Sequence, residues 1–109
     1  MSKSKIYKIV KFIKTFFKSQ NVKIDKIVLF GSHVKNKETK DSDVDIAIIS
    51  RDFEGKDIFE RSKILGELNW DLVKQFMLPF DIVPLSLKEW KESSSLVVGF
   101  IRQGYKVYS

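Results

Sequence analysis

The stretch VDIAIIS, Val44–Ser50, constrains the fold more than any other. Side chains of a strand alternate between its two faces. After Asp45 this segment is apolar on both, so both must be covered. It therefore predicts a strand at the centre of a sheet. The partners that bury it must come from elsewhere in the chain.

Candidates lie on either side. KIVLF, Lys26–Phe30, is short, β-branched and aromatic, and stops at Gly31, which predicts a buried strand. FDIVPL, Phe80–Leu85, predicts a third, kept from the sheet centre by Pro84. Between Lys5 and Ser19, Ile6, Ile9, Val10, Ile13, Phe16 and Phe17 recur at helical spacing. Lys8, Lys11, Lys14 and Lys18 fall mostly opposite, giving an amphipathic helix with Ser4 as a plausible cap. Asp57–Phe76 carries the longest helical pattern, its apolar side formed by Ile58, Ile64, Leu65, Leu68, Leu72, Val73 and Phe76. Leu78-Pro79 breaks it. Trp70 and Met77 read as core or partner-facing residues. Asp52–Gly55 reads as a turn and Asn36–Ser42 as a polar loop. Leu87–Glu92 predicts a helical turn or two, and Leu96–Gln103 a further helix closed by Gly104 as its C′ glycine. Tyr105–Ser109 is an expected edge strand. The order is an α/β (α+β) layer: a small mixed sheet with helices packed on one side. Residues 1–109 read as a single domain, with no repeat or linker.

Composition narrows the chemistry. With no cysteine, disulfides and cysteine zinc sites are excluded. One histidine, His33, cannot build a multi-histidine metal site. Any bound metal must be held by oxygen, which points to magnesium, manganese or calcium. The formal net charge of +6 favours polyanionic partners. No run is long and apolar enough for a membrane span or signal peptide, so a cytoplasmic, soluble protein is expected.

Asp43 and Asp45 stand two positions apart at the mouth of the central strand, so both project from one face. Adjacent carboxylates repel, and a divalent cation neutralises them well. Asp81 opens the neighbouring apolar run and offers a third carboxylate. Asp41 shares their parity but precedes the strand and reads as plain loop. Upstream, Gly31 allows close backbone approach to a ligand, and the Ser32 hydroxyl can grip phosphate oxygens. Three carboxylates beside such a bend can hold two metals and steady a leaving phosphate.

Phe30-Gly31-Ser32, ten residues, then Asp43-Val44-Asp45 resembles the signature of the nucleotidyltransferase superfamily that includes DNA polymerase β. Within it the chain resembles the minimal nucleotidyltransferases, antitoxin partners of HEPN-domain toxins. The resemblance runs nearly end to end: strand, Gly-Ser loop, Asp-x-Asp strand, long helix, the Asp81 strand, and the closing GFIRQGYKVYS. It implies a polymerase β palm-like fold and metal-dependent nucleotidyl transfer. Asp43 and Asp45 would be ligands of Mg²⁺ or Mn²⁺. Asp81 would be the third carboxylate, acting at the acceptor hydroxyl. Gly31, Ser32 and Lys35 would hold the triphosphate. The nucleotide would be ATP, and AMP would go to a tyrosine of a HEPN ribonuclease toxin, giving a hetero-oligomer.

Many relatives follow Gly-Ser with arginine, a small residue, arginine and glycine. Here the run is His33-Val34-Lys35-Asn36. Lysine keeps charge without the bidentate fork of arginine. Asn36 tolerates a left-handed turn. His33 offers less to a triphosphate and reads as incidental. The alternative is therefore a weak or inactive module of the same fold that neutralises a toxin by binding it. A nucleic-acid subunit rests on net charge alone, and direct nucleic-acid binding is not expected. An apolar stripe left on the long second helix or on the C-terminal helix would be the docking surface.

Overall fold

The computed structural model describes residues 1–34, 37, 39, 42–92 and 95–108. Helix α1 spans Lys3–Ser19, strand β1 Lys26–Phe30 and strand β2 Val44–Ile49. A 3₁₀ turn at Arg51–Phe53 leads to helix α2, Ile58–Phe76. Strand β3, Phe80–Leu85, is followed by two short helices, α3 (Leu87–Lys91) and α4 (Leu96–Ile101). Strand β4, Tyr105–Tyr108, closes the order.

The four strands lie in the order β3-β2-β1-β4. Strand β2 is interior, as its two apolar faces require. It pairs in parallel with β3 and antiparallel with β1, which in turn pairs antiparallel with β4. Strand β3 takes one edge, where Pro84 costs no ladder bond to a further strand. The expected edge strand at Tyr105 takes the other.

Alternation along β1 and β2 splits the core in two. Ile27, Leu29, Val44, Ile46 and Ile48 pack with Ile9, Ile13 and Phe17 of α1 and Leu65, Leu68 and Leu72 of α2. Val28, Phe30, Ala47, Ile49 and Leu85 pack with Trp90 of α3 and with Val98 and Ile101 of α4. The one-sided arrangement holds for the long helices, while the two short ones cover part of the second face. Each fully buried Leu, Ile or Phe contributes about 1.5–3 kcal/mol of transfer free energy.

The caps explain the boundaries. Ser2, two residues before Ser4, starts α1 by accepting the Lys5 N–H at 3.1 Å. Ser4 falls inside the first turn, where it cannot cap. Asp57 caps α2 by accepting the Glu60 N–H. Ser86 and Glu89 form a reciprocal capping box on α3. Helix α4 stops at Ile101 with Arg102 as its cap, so Gly104 does not serve as a C′ glycine. Among the described glycines only Gly31 and Gly55 take positive φ.

The long helix also shows where periodicity over-reaches. Ile58 is 58% exposed and Val73 37% exposed, and so neither belongs to the core. Trp70 and Met77 are exposed with them. These residues and Phe59 leave apolar surface on α2, and Leu96, Val97 and Phe100 leave more on α4. Exposed apolar residues are therefore present on both of the helices where a docking stripe is expected. No helix among the described residues is long and apolar enough to cross a membrane.

Candidate active site

Strand β1 delivers its chain end to Gly31, whose φ is +80°. A Cβ there would sit 2.1 Å from Oδ2 of Asp45 and 3.0 Å from its Cγ. Only glycine admits both the left-handed backbone and the carboxylate pressed against it. The turn then closes on itself: Val34 N–H donates to the Gly31 carbonyl at 3.2 Å, and Lys37 N–H to the Ser32 carbonyl at 2.9 Å.

Asp45 sits opposite Phe30 on β1 and opposite Asp81 on β3. Paired residues of neighbouring strands share a face. Asp45 and Asp81 therefore project from the face that carries Ala47, Ile49 and Leu85, beyond the end covered by α3 and α4. Asp43 precedes β2 with the same parity and is exposed. The Val44 N–H, donating to the Pro79 carbonyl at 2.9 Å, fastens the entry of β2 to that of β3.

The electrostatics follow from this placement. Burial pushes the Asp45 carboxyl above the usual carboxylate range, and the charges of Asp81 and Asp43 push it further. His33 pulls weakly the other way. Such a carboxylate gains from a cation, and its all-oxygen neighbourhood suits Mg²⁺ or Mn²⁺. The residues therefore fit a divalent ion chemically. Among the described residues, however, no three acidic, histidine or cysteine side chains are gathered closely enough to enclose one. The exposed side chains of Asp43 and Asp81 can turn inward once a cation offsets their repulsion.

The structure thus brings Gly31, Asp45 and Asp81 together, with Ser32 in the adjoining turn and Asp43 at the strand mouth. Lys35, Asn36 and Asp41 lie outside the described residues. His33, read from sequence as incidental, ties the turn to the strand entry. Its Nε2 lies 3.3 Å from the Ser42 carbonyl, and its Nδ1 is buried. Its position directly after Gly-Ser was the available signal. Phe100 of α4 meets the Phe30 ring edge-on at 6.3 Å, extending an exposed apolar wall toward the carboxylate end. Nothing in the spacing of Leu96–Gln103 pointed to that contact.

None of the curated proteins compared with the chain matches it. Solved structures do. A toxin–antitoxin crystallised with AMP-PNP superposes with a TM-score of 0.63 at 23% identity, over 89% of this chain and 69% of that one. A mutant toxin–antitoxin, MntA-HpeT, has a TM-score of 0.64 at 22% identity, over 91% and 70%. That mutant carries two aspartate-to-glutamate substitutions two positions apart. A protein assigned as a nucleotidyltransferase is 30% identical over 90% of this chain and 92% of its own, with a TM-score of 0.52. Residues 6–103 match the family profile described as Nucleotidyltransferase domain. With nearly the whole chain matched, the resemblance carried by Gly31, Ser32, Asp43 and Asp45 is borne out at the level of the family: the chain belongs to the nucleotidyltransferase domain family.

Proposed function

We propose that this protein is a metal-dependent nucleotidyltransferase that moves AMP from ATP to a hydroxyl of a protein partner, a tyrosine of a HEPN-type toxin, and so acts as its antitoxin. The observation that carries the reading is Asp45, pressed against Gly31 and coupled to the charges of Asp81 and Asp43. The AMP-PNP complex and the paired aspartate substitutions of the similar structures support it, since the latter have the spacing of Asp43 and Asp45.

Asp43 and Asp45, with Asp81, would hold the divalent cation. When bound, it supplies charge neutralisation for the triphosphate. Gly31, whose missing Cβ makes room for the Asp45 carboxylate, would bring its backbone close to the phosphates, and Ser32 would offer them a hydroxyl donor. Lys35 would add positive charge. Asp81, exposed at the edge strand, would take the proton of the acceptor hydroxyl. The acceptor oxygen forms a bond to the α-phosphorus, the bond to the bridging oxygen breaks, and pyrophosphate leaves. If a HEPN-type protein is encoded beside this one, incubation of the two with ATP and Mg²⁺ should add one AMP to that protein by mass. Absence of transfer while ATP binds would count against the reading.

His33, standing where many relatives carry arginine, favours the second reading of a module that neutralises by binding alone. Asp45→Asn separates the two: an enzyme loses protection against the toxin, and a pure binder keeps it.

A further inference from the structure

A large groove lies away from the carboxylates. It runs between α1 and the edge strand β4, with a volume of about 680 Å³. Ile6, Val10 and Val107 give it an apolar lining, and Tyr7 and Tyr108 add aromatic surface. Lys3, Lys11, Lys14 and Lys106 rim it, and among the described residues no carboxylate lines it.

Two independent features restrict what fits. The first is charge: Lys3, Lys11 and Lys106, in a chain of net charge +6, favour an anionic occupant. The second is backbone. Strand β4 ends the sheet, and no strand lies beyond it among the described residues. An open edge offers main-chain donors and acceptors at strand spacing. A nucleic acid answers the charge but cannot continue the ladder. A peptide strand answers both: of the side chains it turns toward α1, central ones can be apolar against Ile6 and Val10 and flanking ones acidic against the lysines.

We propose that the α1–β4 groove docks an extended acidic segment of a protein partner, added to the sheet as a fifth strand beside β4. Lys106 and Tyr108 share a face with their register partners Leu29 and Ile27, which belong to the core under α1 and α2. The docked strand therefore turns its groove-filling side chains to the face opposite Asp45, at the sheet edge away from β3 and Asp81. The assignment does not rest on the transfer reaction.

The test is selection of a random dodecapeptide display library on the immobilised full chain, with Lys11→Glu/Lys106→Glu as comparison. Both side chains are exposed and outside the candidate active site. Enriched peptides should carry apolar residues flanked by acidic ones at every second position, the positions that turn toward α1. They should bind the double variant about tenfold more weakly, the effect expected of two lost surface ion pairs. Amide exchange should slow at Tyr105–Tyr108. Circular dichroism melting checks that the variant folds, and Lys3→Glu/Lys11→Glu serves in its place if it does not. The proposal is overturned by no enrichment, by neutral or basic winners, by indifference to charge reversal, or by protection elsewhere. Tighter binding of an oligouridine to the same residues would overturn it in favour of nucleic acid.

Discussion

Asp45 and Asp81 face each other across the parallel β2–β3 ladder, one register step inside the strand entries. Their charges therefore communicate directly. In Asp81→Asn the Asp45 carboxyl should titrate at lower pH, yet stay above the ordinary value, because burial is its leading cause. A ¹³C carboxyl titration by NMR reads this. An unmoved midpoint would show that the two groups are not coupled.

The same coupling predicts a stability effect. Folded Asp45 keeps its proton at a pH where the unfolded chain has released it. The native state thus binds more protons, and stability falls as pH rises from the ordinary value of 3.8 through the raised one. Above that window the penalty is complete. Asp45→Asn should therefore melt higher than the wild type near neutrality, with the gap closing below pH 3.8. Magnesium should raise the wild-type melting temperature and leave the variant unmoved. Calorimetry at two pH values decides it, and equal melting at neutral pH would contradict the account.

Gly31→Ala should be damaging out of proportion to its one added carbon. The left-handed backbone costs about 1–3 kcal/mol for a non-glycine residue. The new Cβ would also displace the Asp45 carboxylate that it meets at 2.1 Å. Displacement on that scale lowers a transfer rate about 100-fold. A folded variant with full activity would remove Gly31 from the site.

Arg61 anchors the opposite end of the sheet. Its guanidinium donates to the carbonyls of Phe53 and Lys56, each at 2.9 Å, and to the Glu89 carboxylate at 2.6 Å. Arg61→Ala should cost about 1–3 kcal/mol in urea unfolding by stripping these acceptors of their donor. Burial pushes the Glu89 carboxyl up, but the Ser86 N–H and Arg61 together hold it below the usual range. That stability is present above the unfolded carboxyl's pKa and is lost as pH falls through the lower folded value. The variant should accordingly show a shallower acid limb, with activity per folded molecule unchanged.

The strands were legible because their patterns are local: KIVLF and FDIVPL appear at the boundaries that their composition marks. Asp43, Asp45 and Gly31-Ser32 were legible because their spacing is a motif. What escaped was set by tertiary contact. The start of α1 turned on which of two serines reached the Lys5 N–H. Ile58 and Val73 fit the helical period, but among the described residues no element covers them, and so they stay exposed. The tether of His33 to Ser42 joins residues brought close only by the folded turn.

The parallel pairing of β2 and β3 leaves the full length of α2 between Asp45 and the strand that bears Asp81. The acidic cluster is thus a late product of folding, absent from a nascent chain that has made only its first hairpin. It also depends on a single margin strand. Were β3 to leave the sheet, the charges would separate while β1, β2 and β4 kept their own pairings.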